Sequence, residues 1–457
     1  MTEDEHGDQR SAREHTPQSW ARRTFGIVHL RQIADRIRHR LSFVPVLYVV
    51  VAIVLVQVLL LVDRSLGDQQ LPTWLETTVD SARSVFSAMA GGLITSITLV
   101  LSMMLVAVQL ASSQFSPRTL RDWLGNRSLQ HTIGVVLGTT VFCLLALRST
   151  RDFDDEGTAV VPHVTVLVAV ALGVVSLVAV VRAVDHLTHS VRVGSVADRV
   201  ASETIAVVRR TDQVPTGQSP TSIPASAGTA TAADDAIPDD ADALESPRAG
   251  WIQQIDEQAL LDALPDGGVA HVVTDIGGFT PAGAPLAWIA PPPDQQCRGR
   301  LLDAFAIGDN RTMQQDVEFG LVQLTDIAVR ALSPGVNDPT TACDVIVYIG
   351  NVLLSIWERP EAPRRVAAEG REVVMRRPTH AAYLARAVGP IRRYGAGDPE
   401  VMSTLVRTLV SVRDEVRRRG LPGPMEPLDR AIDDTLAVAD TDGWTAAEIR
   451  ALREPTT

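Results

Sequence analysis

The chain has 457 residues and a formal net charge of −12, which leaves room for a membrane part and a soluble domain but no basic surface suited to nucleic acid. All 42 of its Lys-or-Arg residues are arginine, so a phosphate-loop lysine, a Schiff-base lysine and a biotinyl or lipoyl attachment site are excluded together. Cys143, Cys297 and Cys343 show no CxxC spacing, which indicates neither a disulfide framework nor a zinc site and suits a reducing compartment.

Residues 1–20 are polar and mixed in charge and read as a disordered tail, with no signal peptide expected. Over 21–43, Leu30, Ile33, Ile37 and Leu41 recur at helical spacing among six arginines. This pattern predicts a basic amphipathic helix on an anionic membrane surface, or a solvated helix leading into the bilayer.

A membrane domain is expected over 44–182, with four apolar segments at 44–62, 85–111, 131–147 and 164–181. The flanks alternate. Arginines precede the first segment, the first and third loops are acidic, and the second loop carries Arg118, Arg121 and Arg127. That alternation predicts both termini in the cytoplasm of a bacterial inner membrane, multi-pass.

The second segment, Val85 to Ala111, runs twenty-seven residues without a charge. Along one helical face it carries Ser84, Ala88, Gly91, Thr95, Thr98, Ser102, Leu105, Gln109, Ser112 and Ser116, of which only Leu105 is bulky and apolar. Such a seam either packs tightly against another helix or faces water and a solute. The third segment has Gly134 and Gly138 four apart, a small-xxx-small face that makes it the expected packing partner of the seam. The first and fourth are rich in Val, Leu and Ala, as suits contact with lipid.

Residues 183–210 read as a juxtamembrane helix in which Asp185, His186 and His189 sit close together, a thin basis for a metal site without a fourth ligand. The stretch 211–248 is rich in Pro, Ala and Asp and predicts a disordered linker. A small β-rich module is expected over 249–295, built on Trp251–Ile255, Val269–Ile276 and Ala287–Ala290 with glycine turns between them. Its Gly-x-Phe turn chemistry is similar to that of lipoyl-like modules.

The helical domain expected at 296–445, before a short tail at 446–457, contains an apolar stripe of Val317, Leu321, Leu324, Ala328 and Ala331. Pro334 and Gly335 stop that helix. Asp338 is placed to cap the next one, with Pro339 at its first position. That next helix is apolar through Val345–Leu354 and must be largely buried, its run of about 12 residues being short for a fifth span. The whole is a mainly α membrane protein with a C-terminal α+β domain.

Two stretches, Ala331-Leu332-Ser333-Pro334-Gly335-Val336-Asn337-Asp338-Pro339-Thr340-Thr341-Ala342 and Gln315-Asp316-Val317-Glu318-Phe319-Gly320, resemble the signature of a bacterial family of predicted membrane proteins, domain of unknown function 2254. Gln114–Arg118 and Ile391–Gly395 match it as well. The resemblance implies the architecture and no established activity.

Three functions stay open. The seam suits an oligomeric channel or transporter with a regulatory domain, passing an ion or other ligand. The turn at 333–339 suits a membrane-anchored sensor or scaffold, because exposed N–H groups at a helix start can receive an anion. An enzyme would need Asp316, Glu318, Asp326, Asp338 and Asp344 to gather around a divalent ion. The sequence has no G-x-S-x-G, H-E-x-x-H or glycine-rich phosphate loop, so no catalytic residue and no cofactor is expected.

Overall fold

The computed structural model describes residues 43–66, 78–114, 127–150, 163–190, 193–212, 237–238, 240–439 and 444–453. All but Phe43 of the helix expected over 21–43, and most of the linker, lie outside them. The chain divides into two compact units, Met1–Val108 with Leu120–Thr188 and Gln109–Thr119 with His189–Thr457.

The first unit is built from α1 (Phe43–Leu66), α2 (Val79–Gln114), α3 (Arg127–Ser149) and α4 (His163–Ser190). Each contains a stretch long and apolar enough to cross a membrane. Half of the apolar window of α3 is buried (50%), against 17% for each of the other three, so α3 is the centre of the bundle. Its glycines bring α1 close. A Cβ on Gly134 would fall 2.5 Å from the Tyr48 ring, and one on Gly138 would fall 3.1 Å from the Tyr48 carbonyl. This corrects the expected pairing, because the small-xxx-small face of α3 serves the first span and not the seam of the second. Toward α4, Ser176 donates to the Thr139 hydroxyl at 3.0 Å, a buried polar contact worth keeping where no water competes.

At one end of the bundle, buried Asp63 accepts from the Val164 and Thr165 N–H groups at 2.9 and 3.1 Å and so caps α4 from the last turn of α1. Arg83 of α2 donates to the Thr150 carbonyl just past α3 at 3.0 Å, a cation set against a helix C-terminus. Opposite charges thus complement two helix dipoles.

In the second unit, α5 (Val193–Asp212) packs against α8 (Val317–Ala331) and α9 (Pro339–Trp357). There a Cβ on Gly320 would fall 1.9 Å from the Thr204 hydroxyl, so only glycine allows this approach. Around them lie α10 (His380–Gly395), α11 (Pro399–Arg419), α12 (Glu426–Val438) and α13 (Ala446–Arg453). The apolar stripe expected on α8 is its buried face. α9 is also long and apolar enough to cross a membrane, but 61% of it is buried within this unit.

The β-rich part holds α6 (Glu257–Ala263), α7 (Gln295–Asp303) and two sheets. One has the order β1 (Asp242–Glu245), β5 (Pro285–Ala290), β3 (Val269–Val272), β8 (Arg371–Met375), β7 (Arg364–Ala368). The other has β4 (Phe279–Thr280), β2 (Gly250–Ile255) and β6 (Phe305–Gly308). The expected module of 249–295 is therefore incomplete by itself. β1 comes from the stretch that composition gives to the linker, and its Leu244 is fully buried. β6, β7 and β8 come from the expected helical domain, β8 joining β3 in parallel with Val269 opposite Glu372.

Candidate functional site

On α2 the buried stripe is Ala82, Phe86, Ala90, Leu93, Val100, Met104 and Ala107, at helical spacing. The seam positions lie two residues from these, about 200° around a helix of 3.6 residues per turn and thus on the opposite side. Ser84, Ala88, Gly91, Thr95, Thr98, Ser102, Leu105 and Gln109 are accordingly all exposed in the single chain. A Cβ on Gly91 or Gly92 would meet nothing within 4 Å. α2 continues as helix past Ser112, whose side chain lies outside the described ones, as does the whole of Ser116.

α2 also exposes Ile94, Leu99, Leu101 and Val106 beside that row, and the outward faces of its neighbours are more evenly apolar. α1 presents Val46, Leu47, Val50, Val54 and Leu61; α4 presents Leu167, Val170, Val174, Leu177 and Val181. Those are lipid-like surfaces. On α2 the Thr95 and Thr98 hydroxyls bond back to the Gly91 and Ile94 carbonyls at 3.0 and 2.9 Å. Each hydroxyl oxygen keeps acceptor capacity toward whatever faces the helix.

In the second unit the signature residues join elements. Gln315 reads the Ile255 backbone in both directions: its Oε1 accepts from the Ile255 N–H at 2.9 Å, and its Nε2 donates to the Ile255 carbonyl at 3.1 Å. The side chain thus extends the edge of β2 and ties it to α8. Asp316 caps α8 through the Phe319 N–H and holds Arg311 with both carboxylate oxygens, at 2.8 and 3.0 Å. Glu318 takes both Arg311 and Arg386. Gly277 closes over the pair at φ 78°, where a Cβ would lie 1.8 Å from Asp316 Oδ2. Burial pushes the Asp316 carboxyl upward and outweighs the hydrogen bonds and charge of Arg311, which pull it down. Nearby, burial pushes the Tyr383 hydroxyl up to about 12, against the pull of Arg359 and Arg377.

At the far end of α8, Ser333 donates to the Arg330 carbonyl, and the N–H groups of Val336 and Asn337 both reach the Ser333 carbonyl. Pro334, Gly335, Val336 and Asn337 form an exposed turn, with Asn337 in the left-handed region at φ 48°. Asp338 caps α9 as expected, accepting from the Thr341 N–H at 3.1 Å, with Pro339 in the first turn. Its carboxylate occupies the helix start that an incoming anion would use.

Of the carboxylates considered for a divalent ion, Asp316 and Glu318 are at the start of α8, Asp326 is within it, and Asp338 and Asp344 are at the start of α9. Among the described residues no three His, Cys, Asp or Glu side chains are grouped to hold a metal. His186 and His189 lie outside the described side chains. Burial raises the thiols of Cys297 and Cys343, which keeps them protonated and poorly nucleophilic at neutral pH. The Asp316 cap was open to sequence reading, since an Asp before Val-Glu-Phe is a helix-start pattern. Arg311 and Arg386 gave no comparable local signal, and Gly277 was legible as a turn glycine but not as a neighbour of Asp316.

The model of the predicted-membrane-protein family, domain of unknown function 2254, matches residues 38–411, from the start of α1 into α11. The chain belongs to this family. The chain is 33% identical over 352 residues to the uncharacterised protein Rv1290c of Mycobacterium tuberculosis H37Rv. It is equally similar to the uncharacterised protein Mb1321c of Mycobacterium bovis. Each alignment covers 73% of this chain, which spans 64% of the length of those relatives. No solved structure matches it. The family match takes in the seam on α2, the Gln315–Glu318 cluster and the turn before α9 alike.

Proposed function

We propose that this family member is the protomer of a homo-oligomeric channel or transporter, in which copies of α2 face one another and line a path for a small polar solute. The observation that carries the reading is the exposure of the whole described seam from Ser84 to Gln109 in the single chain. Hydroxyls and a carboxamide on that face can replace part of a solute's water shell without placing a charge in hydrocarbon. A four-helix unit encloses little space by itself, so the path lies on a symmetry axis between copies. In this reading α1 to α4 are the spans, and α9 is a core helix of a regulatory cytoplasmic domain. The basic flank before α1 and the acidic first and third loops support cytoplasmic termini in a bacterial inner membrane. The reading assigns the chain no catalysis.

The test is solute or ion flux into liposomes holding the purified full-length protein. Ser102→Leu and Gln109→Leu are expected to reduce flux at least tenfold while leaving the yield of folded protein unchanged. Flux identical in both variants and the parent would overturn the pathway.

The second reading, a membrane-anchored sensor or scaffold, rests on the exposed Pro334–Asn337 turn, whose Val336 is half exposed at a position that packing does not require. Binding of a partner that Val336→Asp abolishes, with flux absent in the parent, would favour it over the channel.

A further inference from the structure

We draw no further inference here: the strongest candidate, the charged cluster of Arg311, Asp316, Glu318 and Arg386 where the β-rich layer meets the helices of the second unit, is accounted for by the ion pairs and the helix cap already described, and nothing in it points to a ligand.

Discussion

Tyr383 sits on α10 near both the Asp316–Glu318 carboxylates and two arginines, yet burial dominates its chemistry and holds its hydroxyl up to about 12. In the unfolded chain a tyrosine ionises near about 10. Because the folded value is the higher one, the folded state keeps the proton longer. Its stabilising preference is intact below about pH 10 and is lost as pH rises toward about 12. An absorbance titration of the full-length protein in detergent should therefore show one of its four tyrosines ionising late. Tyr383→Phe should remove that late component and flatten the alkaline loss of stability. A parent whose tyrosines all titrate near their ordinary value would contradict this account. A second residue-scale expectation concerns Gln315. Gln315→Leu leaves the Ile255 N–H and carbonyl without their partner and should cost about 1–3 kcal/mol in denaturant unfolding. Gln315→Glu recovers only the accepting half of that pair.

At the scale of elements, two glycine positions that look alike in sequence behave differently. Gly134 faces Tyr48 of α1 so closely that Gly134→Val must displace the ring or separate the helices. A loss of about 1–3 kcal/mol, typical of overpacking, should appear as a lower melting temperature in detergent. Gly91→Val meets open space in the protomer and should leave its melting unchanged. Equal destabilisation by both substitutions would remove the distinction between the inner and outer faces of the bundle. Sequence reveals a small-xxx-small face because its spacing is local, but which backbone uses that face is decided by helices far away along the chain. For the same reason the uncharged length of the second segment was legible, whereas the choice of Tyr48 as the neighbour of Gly134 and Gly138 was not. The Asp338 cap and the buried stripe of α8 were legible from adjacent residues. The parallel pairing of β3 with β8 was not, since Val269 and Glu372 belong to segments with the whole of α8 and α9 between them. Arg386 reaches Glu318 across a similar gap, so the cluster's composition could be seen only in three dimensions.

For the molecule as a whole, the surface of the first unit is chemically uneven. Two of its outer helices present mainly branched and long apolar side chains, and the third, which also exposes Ile94, Leu99, Leu101, Leu105 and Val106, adds a row of glycine, alanine, serine, threonine and one glutamine. Lipid tails pack as readily against valine as against glycine, so a hydrophobic driving force does not explain the difference. Close backbone approach between protein helices does, because small residues increase van der Waals contact and allow hydroxyls to bond across the interface. The expectation is that α2 meets α2 of another copy. Cysteine cross-linking in native membranes tests it without assuming transport. The native thiols of Cys143, Cys297 and Cys343 are all buried and supply a low background. Thr98→Cys and Ser102→Cys should form oxidant-dependent covalent dimers, whereas Val54→Cys on α1 and Val174→Cys on α4 should remain monomeric. Cross-linking at the α1 and α4 positions instead would move the axis of assembly away from α2, and with it the proposed pathway. Cross-linking at Thr98 and Ser102 in a protein that passes no solute would keep the assembly and leave the seam as packing alone.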